Sequence, residues 1–243
     1  MTLALAAFIL SFSIGLPIWI RAFYAWQVDV LKLTEVKVTV DGVKRLLTRE
    51  EILTAYNEVL DFCLGKSDSF SAGILNFSEE GASHFADCRG LFLLDIWVCV
   101  ISAAVLAVGG GLAWREKKMS SSAEAVAQSG KAAAYSEETA PNVGESAPRK
   151  TGRHTFLFWG PMLLLIVFTI LGVWGALDFD GLFTGFHQVF FPGKTNWLFD
   201  PATDPIICLM PQEFFMNCAI LIAGAIVALS ACCLVADHRA RRK

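Results

Sequence analysis

The chain has 243 residues, of which 55% are hydrophobic, and a formal net charge of −3. A mean hydropathy of +0.53 is too high for an ordinary soluble domain, so membrane-spanning segments are the first expectation. The acidic balance argues against nucleic acid as a partner.

Four runs, 3–20, 91–114, 155–177 and 214–235, are apolar over a membrane-spanning length and hold no Lys or Arg at their centres. The first lacks the basic start and small-residue cleavage site of a signal peptide, so it reads as a retained helix within residues 1–24. Residues 25–90 form a loop with structure of its own. Val36–Val40 alternates like a strand, Asp41-Gly42 follows as a turn, and Thr48-Arg49-Glu50-Glu51 has the pattern of a capping box before an amphipathic helix. Ser78 is placed to cap a further helix that continues into the second span, 91–114. On that helix His84 and Asp87 are three apart and share a face, so Asp87 can fix the tautomer of His84.

The connection 115–154 is rich in Ala, Ser and Glu, almost without large apolar residues, and is expected to be disordered. It begins with Arg115, Lys117 and Lys118 and ends with Arg149, Lys150 and Arg153. The tail 236–243 reads ADHRARRK, and the loop between the last two spans holds only Lys194. The positive-inside rule therefore places both termini and the connection in the cytoplasm, with loops 25–90 and 178–213 together on the outer face. The fold class expected is a mainly α membrane protein, with four transmembrane helices and a small extracytoplasmic cap built from the first and third loops.

Segment 178–213, between spans 155–177 and 214–235, differs from an ordinary connector. It combines aromatics with His187, Asn196, Asp200, Asp204 and Glu213, and Pro192, Gly193, Pro201 and Pro205 bend it. That composition reads as a shaped surface holding polar groups in place; an interfacial loop anchored by aromatics is the plainer account. His84 and His187 are the two histidines assigned to the outer face, and paired imidazoles beside carboxylates suit general acid–base chemistry. A metal site from His84, His187 and Asp200 or Asp204 is the weaker alternative, having no signature spacing. There is no GxSxG elbow, HExxH or glycine-rich phosphate loop. Seven cysteines show no zinc spacing; of these Cys63, Cys88 and Cys208 lie outside the spans, where a pair can be bridged.

The run from Phe186-His187 through Phe190-Phe191, Gly193, Trp197, Phe199-Asp200-Pro201, Asp204-Pro205 and Ile207 to Pro211, Glu213 and Phe214-Phe215 resembles the hallmark loop of the bacterial lipoprotein intramolecular transacylase (Lit) family. Asn76-Phe77-Ser78 with His84 and Asp87 is similar to that family's second motif. The resemblance implies a cofactor-free acyltransferase of the bacterial plasma membrane. It would move an acyl chain from the sn-2 ester to the α-amine of a lipoprotein's S-diacylglyceryl cysteine. By motif, His187 and His84 correspond to the implicated histidines.

The expected roles follow. His187 is the principal base, and His84, oriented by Asp87, is its acid or electrostatic partner, with the two exchangeable. Asn196, the Trp197 indole, an amide near Gly193 or a protonated second histidine can meet the oxyanion. Asp200 and Asp204 brace the loop, and Phe190, Phe191 and Trp197 shape acyl access. An interfacial lipid hydrolase and a non-enzymatic binding or assembly protein are the competing readings.

Overall fold

Helix α1 (Thr2–Trp19) is apolar on every side and stops at Ile20, whose non-helical backbone starts a second, amphipathic helix α2 (Arg21–Val30). Strands β1 (Lys37–Val40) and β2 (Val43–Leu46) pair antiparallel, Val40 opposite Val43. Asp41 and Gly42 both have positive φ, at 50° and 78°. That is the primed two-residue turn that Asp-Gly favours. Helix α3 (Arg49–Cys63) opens on a complete capping box, the Thr48 side chain accepting from Glu51 N and the Glu51 carboxylate from Thr48 N. After an irregular stretch come α4 (Glu79–Ala134), α5 (Phe156–Leu177), α6 (Phe179–Phe190) and α7 (Gln212–Arg241). The computed structural model describes residues 1–134 and 155–242.

Four helices, α1, α4, α5 and α7, are long and apolar enough to cross a membrane. Helix α1 packs on the other three, and α5 also packs on α7. Leu5, Ala6, Ile9, Leu164 and Ile226 make the small core between them. Gly160 lets α5 approach α1, because a Cβ there would lie 2.8 Å from the Thr2 carbonyl oxygen. Leu94, Trp97, Ile101, Val108, Ile166, Ile170 and Ile220 face outward from the bundle. An apolar exterior of this kind is what a lipid-facing bundle requires. Asp95 is a polar group within a span, in a stretch where α4 packs on α1.

The 56-residue α4 is far longer than the roughly 20 residues that cross a bilayer. Its first turns, Glu79 to Gly90, precede the apolar run and carry the polar residues of the cap. Its far end continues to Ala134, through residues 115–134 that the sequence reading places in a disordered connection. Once a span has nucleated the helix, each added Ala, Glu or Lys propagates it at little cost. The remainder of the connection, including His154, lies outside the described residues.

The end of α1, the start of α4, the end of α5 and the start of α7 meet at one end of the bundle, and the cap sits there. Its core joins the first loop to the third: Tyr24, Val28, Val38, Ile52, Tyr56 and Phe85 pack with Ile206, Leu209, Met210 and Phe214. Tyr24 stacks on Tyr56 with centroids 3.6 Å apart, Phe214 meets both rings edge-on, and the Tyr24 hydroxyl donates to the Leu209 carbonyl at 2.8 Å. Arg21 bonds Asn57 at 2.7 Å and pairs with Asp61, tying the start of α2 to α3.

Candidate active site

Segment 178–213 is not irregular throughout, as the sequence had suggested. Its first part is α6, capped by the Asp178 carboxylate, which accepts from Gly181 N at 2.8 Å. Phe179, Leu182, Phe183, Phe186 and Phe190 recur at helical spacing, a signal that the aromatic density of the segment obscures. Phe191-Pro192-Gly193-Lys194 then reverses the chain, with Lys194 N donating to Phe191 O at 3.1 Å. Proline in the second position and Gly193 at φ 73° in the third suit a type II turn. The turn brings Lys194, Asn196 and Trp197 back over the first turns of α4.

His84 of α4 and His187 of α6 come together there, ring centroids 5.7 Å apart and 31° from parallel. Both are buried, at 6% and 7% exposure. His187 Nδ1 lies 2.8 Å from the Phe183 carbonyl oxygen, one turn earlier on α6. A carbonyl can only accept, so Nδ1 carries the proton and Nε2 of the neutral ring keeps its lone pair. Trp197 stacks on the His187 ring at 4.6 Å and Phe183 lies against it at 4.3 Å. Burial holds His187 below the ordinary histidine value, against the opposing Phe183 hydrogen bond.

His84 is walled by Phe191 and Phe199, both edge-on, at 4.9 and 5.4 Å. Its Nε2 lies 3.4 Å from Cys88 Sγ. Its Nδ1 is buried and has no hydrogen-bond partner among the described residues. Burial, then the neighbouring His187, brings its pKa down to about 4, with Asp87 opposing.

The expected Asp87–His84 hydrogen bond is not made. Asp87 turns instead to the third loop, accepting from Lys194 Nζ at 2.6 Å and Asn196 Nδ2 at 3.1 Å. Burial raises its carboxyl, but the Lys194 and Asn196 hydrogen bonds and the Lys194 charge outweigh this and hold it below the usual carboxylate value. Two ammonium and amide donors are stronger partners for a carboxylate than one neutral imidazole, and they latch the loop onto α4. Asn196 Nδ2 also lies 3.3 Å from Ser83 Oγ. Neither expected side-chain oxyanion donor of the loop is free. Asn196 Nδ2 is committed to Asp87 and Ser83, and the Trp197 indole N–H donates to Lys194 O at 3.0 Å. Trp197 therefore meets His187 with its ring face.

Phe190 and Phe191, paired in the sequence reading, separate. Phe191 is 4% exposed and belongs to the wall around His84, whereas Phe190 is 50% exposed and packs on Phe186. Asp204 is buried and accepts from Ser78 N, Ser78 Oγ and Thr203 Oγ1, at 2.8, 2.8 and 2.9 Å, joining the loop to the start of α4. Asp200 closes an Asx turn onto Ala202 N at 2.9 Å. With both so engaged, the alternative metal site does not assemble, and among the described residues no group of three candidate ligands forms. Cys63, Cys88 and Cys208 are free thiols.

Sequence reasoning gave no role in the site to Ser83, Cys88, Phe183, Lys194 or Phe199. For two of them a signal existed. Ser83–Asp87 and His84–Cys88 are i,i+4 pairs on neighbouring faces of one helix.

The family model for "Lipoprotein intramolecular transacylase Lit" matches residues 1–215. The chain belongs to the Lit family. The membership makes it an integral membrane enzyme of the lipoprotein intramolecular transacylase class. Solved structures of Bacillus cereus Lit share this fold. One superposes with a TM-score of 0.73 at 21% identity, covering 99% of this chain and 91% of that one. Two further structures of that protein, with one histidine replaced by alanine or by arginine, give TM-scores of 0.68 and 0.67 at 21% identity. They cover 98% of this chain and 89% and 87% of the Lit chains. A comparison with curated proteins gives no match.

Proposed function

We propose that this chain moves an acyl group from the glyceryl sn-2 ester to the α-amine of a lipoprotein's N-terminal S-diacylglyceryl cysteine, giving the lyso form, with His187 as general base. The observation that carries this is the hydrogen bond from His187 Nδ1 to the Phe183 carbonyl. It fixes the tautomer with Nε2 as the basic atom, in a pocket whose burial keeps the ring neutral.

The chemistry follows from the substrate. An α-amine is mostly protonated near neutral pH and cannot attack an ester. The ammonium gives one proton to solvent, and as the amine lone pair attacks the sn-2 carbonyl carbon His187 Nε2 takes a second proton from the nitrogen. The tetrahedral intermediate collapses as the bond between the acyl carbon and the glyceryl oxygen breaks. The glyceryl oxygen leaves with a proton from the His187 imidazolium, which resets the base. Nucleophile and ester share one molecule, so proximity replaces an acyl-enzyme and no Ser or Cys nucleophile is needed.

His84 is the partner at 5.7 Å. The half-buried Cys88 thiol, held protonated by desolvation, donates to Nε2. Nδ1–H is then the ring donor left without a protein partner. It is the group we assign to the developing oxyanion, in place of Asn196 and Trp197. Asp87, Lys194 and Asn196 hold the loop so that Trp197 stays on His187. Phe186 and Phe190, exposed on α6, guide the acyl chains, and Phe191 walls His84.

The distribution of Arg and Lys supports an orientation with both termini in the cytoplasm of a bacterial cell and the site on the outer face of the plasma membrane. The substrate is then a diacylated lipoprotein held in the same bilayer. A lipoprotein isotopically labelled in its sn-2 acyl chain tests the reaction class. Label on the α-amine is the expected result. Label released as free fatty acid indicates an interfacial hydrolase.

A further inference from the structure

At the end of the bundle away from the cap, α4 and α7 leave the apolar layer beside one another. The apolar run of α4 ends at Trp114 and that of α7 at Val235. Lys117 and Arg239 therefore project about 5 and 6 Å beyond, at 1.5 Å per residue. That is the depth of lipid headgroups rather than hydrocarbon. The Lys118 ammonium lies over the Trp114 ring at 5.4 Å, an aromatic and a cation at the membrane boundary.

A cavity of about 360 Å³ opens at this level, lined by Lys117 of α4 and by Ala236, Arg239 and Ala240 of α7. Ala236 and Ala240 are one turn apart on α7, and their small side chains leave the space. The two cations enter it from different helices. Among the described residues, Asp237 is engaged by Thr155 and Arg241, and Lys117 and Arg239 carry no ion pair. Arg115, Lys118, Arg241 and Arg242 surround the cavity in sequence, against Glu116.

We propose that this cavity binds the phosphate of an anionic phospholipid headgroup in the adjoining leaflet. A guanidinium and an ammonium converging from two helices give charge-assisted hydrogen bonds to phosphate oxygens. Basic pockets between helix ends at a membrane surface suit anionic headgroups. Leu112, Trp114 and Val235, all exposed, give the acyl chains an apolar surface below. The bound lipid joins α4 to α7 at the end opposite the histidines. The site is thus independent of the acyl-transfer reading.

The test uses the full-length protein in detergent, titrated with phosphatidylglycerol, phosphatidylcholine or inorganic phosphate, and reads thermal stability and lipid retention by native mass spectrometry. Phosphatidylglycerol is expected to stabilise and be retained in preference to phosphatidylcholine. The Lys117→Gln/Arg239→Gln variant is expected to bind it about tenfold more weakly or worse, with acyl transfer unchanged. Equal binding of phosphatidylglycerol by variant and wild type overturns the site, as does equal binding of the two lipids by the wild type. Equal protection by inorganic phosphate overturns the lipid as the source of the phosphate.

Discussion

Trp197 covers one face of His187, ring centroids 4.6 Å apart and 29° from parallel. The indole is held there by its N–H bond to Lys194 O and by the Lys194 and Asn196 bonds to Asp87. The base is therefore positioned from two directions, by the Phe183 carbonyl on its own helix and by a loop latched to α4. Asp87→Ala is expected to release the latch. It should lower kcat while leaving the pH profile of the base in place, because Asp87 touches neither nitrogen of His187. Lys194→Met should act in the same sense, more weakly, since Asn196 keeps its bond. Steady-state kinetics across pH check both.

Removing either histidine separates reaction from structure. His187→Ala is expected to lower turnover by about 10²–10⁴-fold, the usual worth of a positioned base. His84→Ala should cost about 10²–10³-fold as loss of an oxyanion donor. Both variants should remain membrane-inserted, because the cap core runs through Tyr24, Tyr56 and Phe214 rather than through these rings. Full activity in both would falsify the acid–base assignment.

The pH dependence has a definite sign. A histidine whose folded pKa is depressed binds fewer protons folded than unfolded, so stability rises with pH between the two values. For His84 that window runs from about 4 up to its unfolded value of about 6.5. Stability is full above the window and declines as pH falls through it. His84→Gln should flatten this part of the profile in a thermal-unfolding series. The lowered His187 value predicts that the acidic limb of kcat/KM falls below pH ~6.5; a limb above that value contradicts it.

Asp204 and Asp200 are predicted to behave differently. Asp204→Ala leaves Ser78 N, Ser78 Oγ and Thr203 Oγ1 without their buried acceptor, a loss of about 2–4 kcal/mol. Asp200→Ala removes one exposed turn bond and should cost about 1 kcal/mol or less. Gly81→Ala should resemble Asp204→Ala, because its Cβ would meet Asp204 Oδ1 at 2.1 Å. Thermal unfolding in detergent ranks the three.

The four spans were legible because apolar length is a property of the chain alone, and the first strand with its turn and the capping box because each depends on adjacent residues. The site was legible only in its residue types. His84 and Asp87 share a helix face, but the partner that wins Asp87 is Lys194, 107 residues away. Nothing local encodes that choice. Helix α6 was hidden for another reason: four of its twelve residues are Phe, so aromatic periodicity looks like aromatic clustering. The extension of α4 to Ala134 was masked by composition that suits both a disordered linker and a propagated helix.

The most direct measurement is mass spectrometry of the N-terminal peptide of a reporter lipoprotein, in a host without its own N-acylating enzyme, expressing this chain or its His187→Ala variant. The account predicts one acyl group on the α-amine with the total acyl count unchanged, and a free amine on an intact diacylglyceryl cysteine with the variant. A free amine with the unaltered chain, or N-acylation that persists in the variant, would contradict it.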